Sequence, residues 1–88
     1  MRIALDYDNT YTADPALWDR FITQSAERGH QVVCVTMRHP HEPAAIANCD
    51  ILYTGRKAKR AWASSLGMEF DIWIDDSPEY ILRDAFAG

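Results

Sequence analysis

The sequence predicts an α/β domain in which about four parallel strands form one sheet with helices on both of its faces. Four short apolar runs, rich in Ile, Val and aromatic residues, are typical of strands that are covered on both sides. They occupy residues 2–5, 31–35, 51–53 and 70–74. Segments with helix signals separate these runs and follow the last one. Strands that alternate with helices favour a parallel sheet whose connections are right-handed crossovers.

Residues that begin and end helices mark the segments between the strands. In the first segment Asp14 is a capping residue, Pro15 suits the first helical position, and Gly29 follows the last position of the helical pattern. In the third segment Trp62 and Leu66 are predicted to share the inward face. Helices are therefore predicted over residues 15–28, 42–47, 56–66 and 78–86, of which the second has the weakest signals. The order β-α-β-α-β-α-β-α describes a three-layer, Rossmann-like fold.

Length and composition limit the class of protein. The 88 residues (1–88) are predicted to form one domain, and a hydrophobic content of 48% is that of a globular chain. The net charge of −4 argues against a protein that coats nucleic acid. Cys34 and Cys49 fit no zinc-binding spacing, and Cys34 lies in an apolar run, where a buried thiol is expected. We expect a cytoplasmic protein with no membrane partner, because neither a signal peptide nor an apolar stretch of about 18 residues is present.

Polar and charged residues follow each of the four apolar runs. Carboxylates follow the first and fourth, hydroxyls follow the second and third, and a basic cluster comes after the third. In chain order these residues are Asp6, Asp8, Thr36, Thr54, Arg56, Lys57, Lys59, Arg60, Asp75 and Asp76. Ligands bind at the carboxyl ends of the strands in open parallel sheets, so these side chains are predicted to meet at one edge.

Such a set of residues suits phosphoryl transfer. A hard divalent cation such as Mg²⁺ neutralises clustered carboxylates, and a carboxylate at Asp6 can attack phosphorus to form an aspartyl-phosphate. A hydroxyl and a lysine supply positioning and positive charge for the phosphoryl oxygens. Each feature alone has a simpler interpretation, since Asp75 and Asp76 could cap the last helix and the lysines could form a solvated helix face. Their combination at four strand ends favours a site.

The motifs occur in an order and spacing that resemble those of the haloacid dehalogenase (HAD) superfamily. Residues 5–10, Leu-Asp-Tyr-Asp-Asn-Thr, are similar to its first motif, with Asn9 where glycine is commonest. Val35-Thr36 is similar to the second motif, and residues 72–78 are similar to the fourth in its double-aspartate form. The resemblance covers the chain from Arg2 to Pro78.

The resemblance implies a role for each matched residue. Asp6 would be the nucleophile, Asp8 the general acid and base, and Thr36 a ligand of a phosphoryl oxygen. Mg²⁺ would bind Asp6, Asp75 and the backbone carbonyl of Asp8, with Asp76 in support. Lys59 and Lys57 both qualify as the third-motif lysine, and the predicted helix register favours Lys59.

The implied function is that of a Mg²⁺-dependent phosphatase without a cap domain. The intervals after the first and second motifs are too short to hold such a cap, so the site is expected to be open. Arg38 and the basic cluster then suggest a nucleotide or a polynucleotide terminal phosphate as substrate. Two alternatives are a receiver-like aspartate phosphoacceptor and a catalytically idle HAD-like binding domain. A receiver needs an acceptor aspartate after a middle strand, where this chain has Thr36 and Thr54.

Overall fold

A four-stranded, all-parallel sheet forms the centre of the computed structural model, which describes residues 1–86. The strand order is β3-β2-β1-β4. The strands are β1 (Arg2–Leu5), β2 (Gln31–Thr36), β3 (Asp50–Tyr53) and β4 (Ile72–Ile74). Each of them overlaps a predicted apolar run, and the predicted α/β class with a parallel sheet is confirmed.

The first helix, α1 (Pro15–Glu27), begins as its sequence signals indicate. The Asp14 carboxylate accepts a hydrogen bond from the Leu17 N–H at 3.3 Å, which satisfies one of the free donors of the first turn. Ile22 and Ser25 are buried on the inward face. By its helical spacing in the sequence Leu17 also falls on the face of Ile22 and Ser25, but it is 53% exposed, and Trp18 packs on the core instead.

Alternate residues of the central strands point to opposite faces of the sheet, and different segments cover the two faces. Leu5, Cys34 and their neighbours pack with side chains of α1 and of residues 44–49. On the other face Ala4, Val33 and Val35 pack against side chains of residues 68–70, between α2 (Lys59–Ser65) and β4, and of the strands β3 and β4. The buried Cys34 thiol is fully covered, as its apolar run predicted.

The prediction of a helix over residues 42–47 is wrong, because the connection from β2 to β3 is irregular. Two backbone N–H groups in this segment are bound by side chains from the sheet region rather than by helical carbonyls. The Ala44 N–H donates to the Tyr53 hydroxyl at 3.0 Å, and the Ala45 N–H donates to the Tyr7 hydroxyl at 3.1 Å. The segment also contains Pro43, which disfavours helix at the residue before it.

The last two helices are shorter than predicted, and α2 presents a different face to the interior. α2 covers Lys59–Ser65 and α3 covers Glu79–Leu82. Lys59 and Ala63 are the buried residues of α2, whereas Trp62 and Leu66 are 37% and 60% exposed. The predicted inward face of Trp62 and Leu66 is therefore wrong. None of the three α-helices or the short 3₁₀ helix (Tyr11–Ala13) in residues 1–86 has the length and apolar character that crossing a lipid bilayer requires.

The turn after β3 explains the late start of α2. Gly55 and Arg56 have φ angles of 58° and 71°, in the left-handed region that interrupts a helix. The ring of His39 lies so close to Gly55 that a β-carbon at this position would be 2.9 Å from two ring atoms. A β-carbon at this position would strain the backbone and force the His39 ring to shift, so both the backbone angle and the packing favour glycine.

Candidate functional site

The pairing of β1 with β4 brings the two acidic motifs together. Leu5 pairs with Ile74, and the Asp6 N–H donates to the Ile74 carbonyl at 2.9 Å. Asp6 and Asp75 therefore leave neighbouring strands at the same height. β2 lies on the other side of β1 with Leu5 opposite Cys34, so Thr36 ends its strand at the same edge. The strand order also reverses between β1 and β4, which is where open parallel sheets bind ligands.

An open cavity of about 140 Å³ lies at this edge. Of the ten residues predicted to meet at this edge, six line the cavity and four, Thr54, Arg56, Lys57 and Arg60, do not. The six are Asp6, Asp8, Thr36, Lys59, Asp75 and Asp76. The cavity is also lined by Asn9, Met37, Ser77 and Tyr80, to which the sequence analysis gave no site role. Its volume is that of a small polyatomic group rather than of a whole metabolite.

Lys59 is the lysine at the site. Its Nζ lies 2.7 Å from Asp6 Oδ1 and 2.5 Å from Asp75 Oδ2, and the residue is only 3% exposed. Lys57 is exposed, and its Nζ is 3.9 Å from Asp84 Oδ2. The predicted helix register favoured Lys59 on the assumption that Trp62 faces inward. That assumption is wrong, although Lys59 is the buried lysine. Lys59 itself is on the inward face of α2, because it bridges two buried carboxylates that would otherwise repel each other.

Thr10 joins two of the carboxylates and was missing from the predicted site. Its hydroxyl oxygen lies 3.0 Å from Asp6 Oδ2 and 3.0 Å from Asp76 Oδ1, and it accepts the Asp76 N–H at 3.2 Å. One hydroxyl proton cannot satisfy both carboxylates, so a further proton or a cation is needed between Asp6 and Asp76. The position of Thr10 in the Asp-x-Asp-x-Thr motif was the sequence signal that could have placed it at the site.

The pKa of Asp6 reflects this lack of a second hydrogen-bond donor between the two carboxylates. Burial, followed by the hydrogen bond with Asp76, raises the pKa of Asp6 to about 7 against the opposing effect of Lys59. The hydrogen bond with Asp6 lowers the pKa of Asp76. Without a cation the shared proton is therefore on Asp6 below about pH 7, and a cation that binds here in that range must displace it.

Three carboxylates could together hold a metal ion. Asp6, Asp75 and Asp76 each offer one oxygen, and the three oxygens lie within 4.8 Å of one another. Oxygen donors of this kind fit a hard divalent cation such as Mg²⁺. The carboxylate of Asp8 is not part of this group.

Asp8 is held by Arg38, an interaction that the sequence analysis did not predict. Arg38 Nη2 lies 2.8 Å from Asp8 Oδ1, and Arg38 Nε lies 2.9 Å from Asp8 Oδ2. These two hydrogen bonds lower the pKa of Asp8, so it is a carboxylate at neutral pH. The position of Arg38 two residues after Thr36 showed that it was near the cavity, but not which carboxylate it would bind.

Thr36 and Asn9 complete the lining. Thr36 is 1% exposed, and its Oγ accepts the Arg38 N–H at 3.2 Å, which leaves its hydroxyl proton able to donate into the cavity. Asn9 has a φ angle of 63°, a left-handed conformation that asparagine adopts more readily than other residues with a β-carbon. Asparagine therefore suits this position in the turn after β1.

Comparison of the chain with protein-family models, with curated protein sequences and with solved structures gives no match. The chemistry of the site is therefore argued from its geometry. A buried lysine, three carboxylates within reach of one cation, a free hydroxyl proton and a fixed fourth carboxylate together suit the binding and transfer of a phosphoryl group.

Replacing Lys59 with methionine is expected to destabilise the metal-free protein by about 3–5 kcal/mol, because Asp6 and Asp75 lose their buried counter-charge. Lys57→Met is the matched control, and its exposed contact with Asp84 predicts a loss of only about 0–1 kcal/mol. Urea unfolding of both variants in the presence of a chelator measures the difference. Equal losses would mean that Lys59 does not compensate the carboxylates.

The stability of the metal-free protein is expected to fall as pH rises from the ordinary pKa of Asp6, 3.8, to about 7. The folded state binds the proton of Asp6 more tightly than the unfolded state, so raising the pH through this range favours unfolding. Mg²⁺ should therefore raise the melting temperature more at about pH 8 than at about pH 5. Thermal melts with Mg²⁺ or a chelator test this, and Asp6→Asn should remove most of the slope. A chelator without effect on melting at either pH would argue against the metal site.

Proposed function

We propose that the protein is a Mg²⁺-dependent phosphatase of the HAD type, without a cap domain, that hydrolyses phosphomonoesters through an aspartyl-phosphate. The observation that carries the proposal is the contact of Lys59 with both Asp6 and Asp75 beside Thr36, at the reversal of the strand order. A buried lysine in this position neutralises the resting carboxylates. It also supplies positive charge to the phosphoryl oxygens when a substrate enters.

In the first step an oxygen of the Asp6 carboxylate attacks phosphorus, and the bond from phosphorus to the leaving oxygen breaks. The electron pair of that bond goes to the leaving group, which departs as an alcohol when Asp8 gives it a proton and as an aryloxide without one. The Thr36 hydroxyl donates a hydrogen bond to one phosphoryl oxygen, and the Lys59 ammonium approaches another. The products are an aspartyl-phosphate on Asp6 and the free leaving group.

In the second step water attacks the same phosphorus and gives its proton to the Asp8 carboxylate. The bond between phosphorus and Asp6 breaks, which regenerates the Asp6 carboxylate and releases inorganic phosphate. The low pKa of Asp8 beside Arg38 suits this step, because it keeps Asp8 in the form that accepts a proton. Aryl phosphates, whose leaving groups need no proton, should therefore be turned over faster than alkyl phosphates.

Mg²⁺ fits the oxygen donors of Asp6, Asp75 and Asp76. When bound, it would neutralise these carboxylates and withdraw charge from the phosphoryl group. Thr10 and Ser77 keep two of the acidic side chains in place, because Thr10 is hydrogen-bonded to Asp76 and the Ser77 N–H donates to Asp75 Oδ1 at 3.0 Å.

We extend the proposal to the substrate, a terminal phosphate on a nucleotide or a polynucleotide. The cavity of about 140 Å³ has room for little more than the phosphoryl group, so the rest of the substrate would lie outside it. Tyr80 at the cavity wall offers an aromatic surface to a base. The positive charge of Arg38 and the basic cluster is partly neutralised. Arg38 contacts Asp8, Arg56 contacts Glu42, and Lys57 contacts Asp84.

The function is tested by turnover of an aryl phosphate with Mg²⁺ and with a chelator. We expect multiple turnovers that require Mg²⁺. A receiver-like protein would become phosphorylated once and stop, and an idle binding domain would show neither phosphorylation nor turnover, so either result would overturn the proposal.

The substrate is tested by kcat/KM for a 3′-phosphorylated oligonucleotide, a nucleoside monophosphate and a sugar phosphate at several salt concentrations. The oligonucleotide should have the highest kcat/KM, and its advantage should shrink as the salt concentration rises. A higher kcat/KM for the sugar phosphate would contradict the proposed substrate class.

A further inference from the structure

The side chain of Arg38 is held on several sides. Its guanidinium lies over the ring of Tyr7, 4.9 Å from the centroid, and Tyr7 is buried and stacks on Tyr11. Arg38 Nη1 donates to the carbonyls of Glu42 at 3.4 Å and Pro43 at 3.3 Å, in the irregular connection between β2 and β3. A long side chain with this many contacts has little freedom to move, so a group bound to it is also fixed.

The group bound to Arg38 is the Asp8 carboxylate, which accepts one hydrogen bond on each oxygen. Such a two-bond pair with arginine sets the plane and the direction of the carboxylate as well as its distance. The side chain of Asp8 is 50% exposed, so without Arg38 little else would hold its orientation. Asp8 lines the cavity, whereas Arg38 is not among the described residues that do so.

We propose that Arg38 is the positioning residue of the site, which aims the Asp8 carboxylate at the water that hydrolyses the aspartyl-phosphate. This inference rests on the proposed function. All three guanidinium nitrogens already donate to Asp8 or to loop carbonyls, so Arg38 acts on the reaction through Asp8 and does not bind the substrate phosphate. A misaligned catalytic group slows the step that it serves without weakening substrate binding.

The inference predicts the kinetics of Arg38→Gln on an aryl phosphate. We expect kcat to fall about 10–50-fold, KM to change less than about threefold, and the phosphoenzyme to accumulate because its hydrolysis is the slowed step. Arg38→Lys, which cannot bind both carboxylate oxygens in one plane, should recover only part of the loss. Arg2→Gln is the matched control, because Arg2 also donates to a side chain and to a backbone carbonyl but lies at the opposite end of the sheet.

A double-mutant cycle with Asp8→Asn decides whether Arg38 acts through Asp8. In the Asp8→Asn background, adding Arg38→Gln should change kcat less than about twofold. If the two losses multiply, or if Arg38→Gln raises KM tenfold with kcat unchanged, Arg38 contacts the substrate and the inference is overturned. A wild-type protein without turnover of any phosphomonoester would overturn the proposed function together with this inference. Turnover with an additive cycle would overturn the inference alone.

Discussion

Replacing Asp6 with asparagine is expected to abolish turnover and to leave the melting temperature of the metal-free protein unchanged or raised. An amide oxygen is a far poorer nucleophile than a carboxylate, so the aspartyl-phosphate cannot form. Asparagine is also neutral and can donate a hydrogen bond towards Asp76. The single Thr10 hydroxyl then no longer has to serve two carboxylates. The same substitution thus removes the reaction and relieves the repulsion between the carboxylates.

Steady-state assays and thermal melts with a chelator measure both effects. The matched control is Asp50→Asn, which removes one carboxylate from an exposed residue in β3. That variant should keep wild-type turnover and the wild-type response to Mg²⁺. The Asp6→Asn protein should in addition lose most of its stabilisation by Mg²⁺, since one of three oxygen ligands becomes an uncharged amide. Retained turnover in Asp6→Asn would rule out Asp6 as the nucleophile.

Replacing Asp8 with asparagine is expected to reduce turnover by about 10²–10⁴-fold, the usual contribution of general acid–base catalysis. The phosphoenzyme should still form from an aryl phosphate, whose leaving group needs no proton, and should decay slowly because no base activates the water. Stabilisation by Mg²⁺ should persist, because the Asp8 side chain binds Arg38 and lies outside the group of Asp6, Asp75 and Asp76.

Acid-quenched samples during turnover show whether the phosphoenzyme accumulates, and melts with Mg²⁺ and a chelator show whether the metal still binds. Asp19→Asn provides a control for the loss of one exposed carboxylate that is hydrogen-bonded to another side chain, the Tyr11 hydroxyl. A loss of less than about tenfold in Asp8→Asn would mean that Asp8 is not the acid and base. Loss of the Mg²⁺ response would mean that its carboxylate is a metal ligand.

The strands and the identity of the strand-end residues could be read from the sequence. Short runs of Ile, Val and aromatic residues cannot be left exposed at low cost, so they form strands wherever the chain can cover both faces. The residues that follow the runs then lie at one edge, because parallel strands all end on the same side of a sheet. This is why Asp6, Thr36 and Asp75 could be grouped without a structure.

The helical segments were less predictable, because long-range contacts outweigh local preference. At residues 44–45 the backbone N–H groups bind the hydroxyls of Tyr53, at the end of β3, and of Tyr7, in the turn after β1. In α2 the apolar Trp62 remains partly exposed while the charged Lys59 is buried. Leaving Asp6 and Asp75 without a counter-charge costs more than exposing part of one aromatic side chain.

The sequence by itself determined the α/β class, the positions of the four strands and the set of acidic, hydroxyl and lysine residues at their ends. The tertiary structure alone decided the strand order β3-β2-β1-β4, which of the two lysines is buried among the carboxylates, and the partners of Thr10 and Arg38. The physical reason is the range of the interactions. The strand signal of an apolar run lies in adjacent residues of the chain, whereas hydrogen bonds and ion pairs act over about 3 Å between groups that only the packed strands bring together.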